Sequence, residues 1–302
     1  MVGAAIVQRL VSRGYAVRIL TRSSARSDNG IEYVRGALDD EDAIRRLIAD
    51  ATAVFHCAAE LRRTPLMWDV NVAGTERLVT LIRAEPVRSF CFISSAGVVG
   101  LTDEKWVTED TPCNPQNSYE RSKWAAEQVV AGAGMTDCQM IILRPTDVID
   151  DRRPGALALP MRGTWRDVLQ VVLKGAECAH VVHAADVAAA ALFLVDRGLP
   201  GVQRYFVSCD DDPLNTFAGL WSLYAGMRRN TPSGAGRPFV HVPRIVPHLL
   251  RSALRGPANL GDVRYSPAKL LSEGFQYDVG LTGCVRRLVD RQARERPPRV
   301  SR

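Results

Sequence analysis

The chain has 302 residues, enough for one large domain or for a main domain with a smaller lobe. Its 39 basic and 33 acidic side chains give a net charge of +6, and much of the excess lies near the arginine-rich stretch 291–302. No aromatic residues interleave with these arginines, so we expect a flexible, solvated tail and no nucleic-acid partner.

The spacing of the cysteines and the length of the apolar runs indicate the cellular compartment of the protein. Seven cysteines are scattered without CxxC or metal-ligand spacing, which is typical of free thiols in a reducing environment and predicts no metal site. The sequence shows no signal peptide and no uninterrupted apolar run of about 18 residues. These observations predict a cytoplasmic protein that does not enter a membrane.

Helices alternate with strands along much of the chain. Short apolar runs predict strands at 16–20, 31–34, 53–57, 89–94, 140–143 and 205–208. Apolar residues at helical spacing predict helices at 3–13, 39–48, 67–84, 186–195 and 217–227. The stretch 231–257 is interrupted by prolines and cannot be one long helix. The alternation predicts an α/β fold built on a doubly wound parallel sheet.

A tyrosine and a lysine four residues apart mark a candidate site for proton transfer. Tyr119 and Lys123 share one face of a helix whose start Ser118 is expected to cap. A free tyrosine is a poor base at neutral pH, but a nearby cation favours the phenolate, so we expect Lys123 to lower the pKa of Tyr119. A chance pair on an exposed helix face would have the same spacing.

Ser95 is a second candidate, because it follows a predicted buried strand. The run 92–94 is apolar until it reaches a hydroxyl at Ser94, and small residues follow Ser95 up to Gly100. In open α/β sheets, ligands bind at the carboxyl ends of the strands. Ser95 is therefore placed where a substrate would lie.

Several motifs together resemble the extended short-chain dehydrogenase/reductases, the group that contains nucleotide-sugar epimerases and dehydratases. The matching stretches, in the family's order, are 54–59, 71–75, 94–100, 119–123, 143–146 and 182–187. An ordered set is far more specific than any single motif. The resemblance implies a Rossmann-type NAD(P)-binding domain over 1–150. It also implies a smaller substrate lobe over 151–290, from which 181–208 returns to the main sheet.

The resemblance also assigns roles to individual residues. Tyr119 would act as acid or base, Lys123 would lower its pKa and hold the cofactor ribose, and Ser95 would hydrogen-bond the substrate oxygen. The positions implied for cofactor binding are Gly3, Arg22, Leu38, Ala58, Ala59, Asn71, Tyr119, Lys123 and Pro145. The family resemblance further suggests a homodimer.

The beginning of the chain departs from the family's pattern. A dinucleotide fold begins with a strand and a glycine-rich turn, whereas this sequence begins at the first helix, and Gly3 matches only the last glycine of the turn. The first strand, absent here, would lie between the predicted strands 16–20 and 53–57. We favour a start codon upstream of Met1 over a decayed, inactive remnant, because the rest of the chain keeps its periodicity and its chemical groups. We expect calorimetry to show poor dinucleotide binding by the chain as given, and binding once upstream codons are restored.

Arg22 bears on the choice of cofactor. NAD-binding chains carry a carboxylate at the end of the corresponding strand, but here Arg22 stands between Thr21 and Ser23. Its guanidinium can pair with a 2′-phosphate, which favours NADP over NAD, although a surface arginine in a loop has the same appearance. After the next strand, Ala37 replaces an aspartate common in the family, which weakens the expectation of tight binding.

Two histidines and three arginines have alternative interpretations. A histidine at a strand end can act as a base, but in the resembled family the positions of His56 and His183 have structural or peripheral roles. Arg152, Arg153 and Arg162 can grip an anionic group such as a diphosphate, and a solvated loop is the favoured alternative.

The expected function is NAD(P)-dependent hydride exchange at a hydroxyl or carbonyl carbon of a nucleotide sugar. The alternative is NADPH-dependent reduction of a small carbonyl compound, as in the dihydroflavonol and sterol reductases. Dehydration is disfavoured because Ala96 and Gly97, rather than an acidic pair, follow Ser95. A non-catalytic dinucleotide-binding protein is a third hypothesis, but such a protein needs no proton-transfer group.

Overall fold

The computed structural model describes residues 1–23, 30–158, 165–229, 242–243, 245 and 259–295. The strands are β1 (Val17–Thr21), β2 (Ile31–Arg35), β3 (Ala53–His56), β4 (Ser89–Ile93), β5 (Trp106–Val107), β6 (Gln139–Pro145), β7 (Asp147–Ile149), β8 (Val181–His183), β9 (Val202–Val207) and β10 (Arg264–Tyr265). The helices are α1 (Val2–Ser12), α2 (Glu41–Ile48), α3 (Thr64–Trp68), α4 (Gly74–Ile82), α5 (Ser118–Ala131), α6 (Trp165–Lys174), α7 (Ala184–Arg197), α8 (Phe217–Arg229), α9 (Ala268–Ser272) and α10 (Gly280–Glu295).

Four parallel strands form the centre of the molecule, in the order β3-β4-β6-β9. β4 and β6 are buried at every residue because helices cover both faces of the sheet. Successive residues of a strand point to opposite faces, so they enter two different hydrophobic clusters. Cys91 and Ile141 pack with α1 and α7 on one face, and Phe90 and Met140 pack with α4 and α5 on the other. The predicted doubly wound parallel arrangement is confirmed.

β1 and β2 form a separate parallel pair, which runs from Val17 opposite Ile31 to Thr21 opposite Arg35. No described strand pairs with both β1 and β3, the two strands that the sequence predicts on either side of a further strand. α2 packs on this pair and on α4, whereas α1 packs mainly on α7. Only Val17 of β1 is buried, so the pair is less enclosed than β4 and β6.

The helix predicted at 67–84 is a helical run in three parts. α3 and α4 are joined by a π-helical turn over Asp69–Ala73, a feature that is frequent at functional sites. Gly74 begins α4, and a Cβ there would lie 2.9 Å from the Cβ of Leu38. Glycine therefore lets α4 approach the loop after β2 closely.

Residues 151–290 join the main sheet and also form smaller elements of their own. β9 pairs with β6, from Met140 opposite Val202 to Pro145 opposite Val207. β8 pairs with β7 in a two-stranded sheet, and β10 pairs with β5 in another. Arg162 and most of the proline-interrupted stretch 231–257 lie outside the described residues. The division into two domains stays a prediction.

The last helix contradicts one expectation. α10 continues to Glu295, so the prediction of a flexible tail is wrong for residues 291–295. Arg291 pairs with Glu295 one turn later at 2.7 Å and also donates to the backbone oxygen of Asp151. Arg287 reaches the Asp151 carboxylate at 3.1 Å. These contacts fix the final turns against the loop after β7, and residues 296–302 lie outside the described part.

Candidate active site

α5 carries the predicted tyrosine and lysine, and its first turn is fixed by a capping box. Asn117, not Ser118 as predicted, is the cap: its Oδ1 accepts a hydrogen bond from the Glu120 amide at 2.9 Å. The Glu120 carboxylate in turn accepts from the amides of Gln116 (2.7 Å) and Asn117 (3.4 Å). Tyr119 is therefore held in the first turn of a firmly anchored helix.

Ser95 lies where β4 ends, at the start of a 3₁₀ turn over Ala96–Val99. Its Oγ accepts a hydrogen bond from the Gly97 amide at 3.1 Å. Gly100 ends this turn with φ of +63°, and a Cβ there would lie 1.9 Å from the Asn114 carbonyl oxygen. Only glycine permits this approach, which brings the loop after Ser95 against the segment that leads into α5.

Ser95 and Tyr119 are close enough to influence each other's chemistry. Burial raises the pKa of the Tyr119 phenol above its ordinary value, a hydrogen bond with the Ser95 side chain lowers it, and the Glu120 carboxylate raises it. Tyr119 is therefore a neutral phenol at neutral pH. The expectation that Lys123 lowers the pKa of Tyr119 is wrong for this arrangement.

Lys123 faces the sheet instead of the phenol. Its side chain is 1% exposed, its Nζ donates to the Ile93 carbonyl oxygen at 2.6 Å, and the same atom lies 4.0 Å from the centre of the Phe92 ring. Burial lowers the pKa of Lys123 to about 7, while the charge of Glu127 acts to raise it. The ammonium is thus held at the carboxyl end of β4, directly beside the residues that precede Ser95.

A buried ion pair lies one helical turn beyond Lys123. Glu127 accepts two hydrogen bonds from Arg144 Nε and one from Arg144 Nη2, at 2.7 to 3.2 Å, and its Oε1 accepts from Ser94 Oγ at 2.5 Å. Both charged side chains are almost completely buried. Glu127 lies outside the sequence motifs, although an acidic residue four positions after Lys123 on the buried helix face was an available signal.

Asn71 links the loop after β3 to α5. Its Oδ1 accepts from the Glu60 amide at 2.7 Å, and its Nδ2 donates to the Glu60 carbonyl oxygen at 3.0 Å and to Ser122 Oγ at 2.9 Å. The Glu60 carboxylate accepts from the amides of Arg62 and Arg63. The side chain of Asn71 is thus engaged with protein atoms, and it acts here by positioning the loop.

The remaining positions predicted for cofactor binding lie mostly on loops at the carboxyl edge of the parallel strands. They are Arg22 after β1, Leu38 after β2, Ala58 and Ala59 after β3, and Pro145 as the last residue of β6. Gly3, at the start of α1, faces the end of β3, since a Cβ there would lie 3.4 Å from the Cβ of Cys57. This edge is where ligands bind in open α/β sheets.

Three observations bear on the binding of a phosphate-bearing dinucleotide at this edge. The N-terminus of α1 offers backbone N–H groups and the positive end of a helix dipole. Burial raises the pKa of Cys57 to about 12, while the charge of Lys123 lowers it. The thiol of Cys57, which lies beside Gly3, is therefore close enough to the Lys123 ammonium to interact with it. Thr146 Oγ1, directly after Pro145, is buried without a partner among the described residues. A hydroxyl of this kind suits a ligand hydrogen bond.

His56 and His183 have structural roles in the folded chain. The Nε2 of His56 lies 2.9 Å from Thr75 Oγ1, and burial, followed by the Lys123 charge, lowers the pKa of His56 to about 3. His183 caps α7, where its Nδ1 accepts from the Ala185 amide at 3.1 Å. Arg152 and Arg153 are exposed in the loop after β7.

The fold and the grouping of a serine, a tyrosine and a lysine at one sheet edge define the class of protein. The profile of the NAD dependent epimerase/dehydratase family matches residues 1–206. The chain belongs to this family.

Individual relatives include both epimerases and dehydrogenases. A UDP-glucose 4-epimerase of Streptomyces lividans is 30% identical over 144 residues, 43% of this chain and 44% of that protein. A decarboxylating sterol-4-alpha-carboxylate 3-dehydrogenase of Dictyostelium discoideum is 32% identical over 160 residues, 47% of this chain and 48% of that protein. The chain spans about half the length of these curated relatives.

A solved structure shows the same fold. The UDP-glucose 4-epimerase of Thermus thermophilus in complex with NAD superposes with a TM-score of 0.69 at 22% identity. The superposition covers 98% of this chain and 97% of that one.

Among the described helices, none is long and apolar enough to cross a bilayer. None of the seven cysteines forms a disulfide, and the described residues contain no cluster of three or more groups suited to a metal.

Proposed function

We propose that the protein is an NAD(P)-dependent oxidoreductase of the epimerase type, which acts at a hydroxyl or carbonyl carbon of a nucleotide sugar. The observation that carries the proposal is the hydrogen bond between the side chains of Ser95 and Tyr119, beside Lys123, whose Nζ bonds to the carbonyl oxygen of the last residue of β4, Ile93. The Streptomyces and Thermus relatives are UDP-glucose 4-epimerases, which supports the substrate class.

A nicotinamide dinucleotide would accept or supply the hydride. Gly3 and the N-terminus of α1 would approach its phosphates, and Lys123 would hold its ribose. Asn71 keeps the loop that contains Ala58 and Ala59 in place, and these small residues leave room beside β3. Pro145 lies where the nicotinamide end is expected, next to the Thr146 hydroxyl, which has no partner among the described residues.

The proton chemistry belongs to Tyr119. Because its pKa is raised, the phenol starts protonated and gives its proton to the carbonyl oxygen as hydride reaches the carbon. In the opposite direction, the phenolate takes the proton of the hydroxyl. Ser95 donates a hydrogen bond to the same substrate oxygen and stabilises its developing charge.

Replacement of the phenol tests this assignment. Tyr119→Phe should lower turnover by about a hundredfold to ten-thousandfold, the range usual for loss of a general acid or base. Calorimetry should show unchanged dinucleotide affinity, and Tyr15→Phe, at an exposed tyrosine, is the matched control. Activity retained by Tyr119→Phe would rule out the assigned acid.

Carbonyl reduction is the second candidate, favoured by the similarity to a sterol dehydrogenase. An epimerase regenerates its cofactor within each turnover, whereas a reductase consumes it. Nicotinamide absorbance followed with UDP-glucose and with small ketones therefore separates the two. We also propose that the protein forms a homodimer in the cytoplasm. Sedimentation velocity would measure the mass of the dimer.

A further inference from the structure

His180 has an unusual backbone conformation. It directly precedes β8 with φ of +55°, and Asp50 is the one other non-glycine residue with a positive φ among those described. A side chain in the left-handed region is disfavoured, and such residues cluster at functional sites where the surrounding structure holds them. Here the surroundings include a hydrogen bond from the Asp147 amide to the His180 carbonyl oxygen at 2.8 Å.

A fully buried carboxylate orients the imidazole. Asp210 Oδ2 lies 2.7 Å from His180 Nδ1 and also accepts from the Tyr265 amide at 3.0 Å, while Oδ1 accepts from Asn215 Nδ2 at 3.0 Å. A carboxylate that already accepts two donors requires a third donor in Nδ1, so the proton lies there. In the neutral ring, the other nitrogen, Nε2, then presents a lone pair. The side chain is 27% exposed, so the ring can be reached.

The imidazole lies on the substrate side of the sheet. The backbone carbonyl oxygen of His180 accepts a hydrogen bond from the Asp147 amide, two positions after the end of β6, and Asp210 follows the end of β9. The Tyr265 ring lies 5.3 Å from both the His180 ring and the Phe206 ring. Tyr265 also packs on the cluster formed by Phe206 with Ala96 and Val99, the residues just after Ser95.

We propose that His180 is a substrate-binding residue whose Nε2 accepts a hydrogen bond from a hydroxyl of the substrate. The inference rests on the proposed function for its substrate and narrows that substrate to one with a free hydroxyl near the reacting carbon. Asp210 is a positioning residue, because it acts through the ring that it orients. A purely hydrocarbon substrate has no hydroxyl that could bond to Nε2. The buried Asp210 carboxylate and the strained backbone of His180 would then have no role in substrate binding.

The test begins with His180→Asn. Asparagine tolerates the left-handed region, and its amide can replace Nδ1–H as donor to Asp210, so the variant removes chiefly the distal nitrogen. We expect an unchanged melting temperature and NAD affinity, unchanged kcat, and a rise of about tenfold in KM for UDP-glucose, the effect of one lost hydrogen bond. An unchanged KM with active enzyme would overturn the inference.

Nitrogen NMR provides a second measurement that needs no turnover. The chain has five histidines, and the ring nitrogen signals that disappear in His180→Asn are those of His180. We expect a protonated Nδ1 and an Nε2 signal that moves when UDP-glucose or dihydroxyacetone is added to the protein with NAD. A protonated Nε2, or a signal that moves with neither compound, would overturn the inference. If the signal moves while Tyr119→Phe stays active, the proposed chemistry fails and the binding role stands.

Discussion

The four-stranded sheet and the separate β1–β2 pair are built differently. β4 and β6 are buried along their whole length, and the helix that carries Tyr119 and Lys123 is tied to them by Lys123 and by the pair Glu127–Arg144. β1 is buried only at Val17, pairs among the described strands with β2 alone, and is followed by the exposed Arg22. The groups proposed for proton transfer are thus fixed by buried charge and by packing, while the predicted selectivity for the cofactor phosphate depends on a surface residue.

The largest effect is expected where the charge is buried. Glu127→Ala leaves the guanidinium of Arg144 buried without its partner, which should lower the free energy of unfolding by about 3–5 kcal/mol. Denaturant unfolding measures the loss. Glu76→Ala, at an exposed glutamate of α4, should change stability by less than about 0.5 kcal/mol. Equal losses of stability in the two variants would mean that the Glu127–Arg144 ion pair does not stabilise the four-stranded sheet.

The pH dependence of stability tests the environment of Lys123. Its pKa falls from 10.5 in the unfolded chain to about 7 in the fold, so the unfolded state binds more protons between these values. Stability contributed by this group is therefore lowest below pH 7 and rises with pH. We expect the free energy of unfolding of the wild type to increase from about pH 7 to about pH 8.5, relative to Lys123→Met. Parallel curves for the two proteins would contradict the buried ammonium.

The smallest effect is expected next to the β1–β2 pair. Arg22→Ala should weaken NADPH binding by about tenfold through loss of one charge-assisted contact, and should leave NADH binding and stability unchanged. Arg46→Ala, at an exposed arginine of α2, is the control. Calorimetry with both dinucleotides measures the ratio. An NADPH affinity unaffected by Arg22→Ala would place cofactor selectivity elsewhere.

Much of the local structure followed from the sequence. Alternating apolar runs predicted the parallel strands, because β4 and β6 must be apolar on both faces to lie between helices. The spacing of Tyr119 and Lys123 predicted one helix face, and Ser95 was placed at the end of a strand. The cap of α5 was assigned one residue too late, since both Asn117 and Ser118 are good caps and only the reach of Glu120 selects the first.

The sequence by itself determined the fold class, the order of the elements and the three residues proposed for catalysis, since these depend on periodicity and on motifs of a few residues. Tertiary structure alone decided that Lys123 bonds to Ile93, that Glu127 meets Arg144 and that Asp210 orients His180. These partners are 17 to 30 residues apart in the chain. Burial makes each contact decisive, because a charge removed from water must take the nearest partner that the fold supplies.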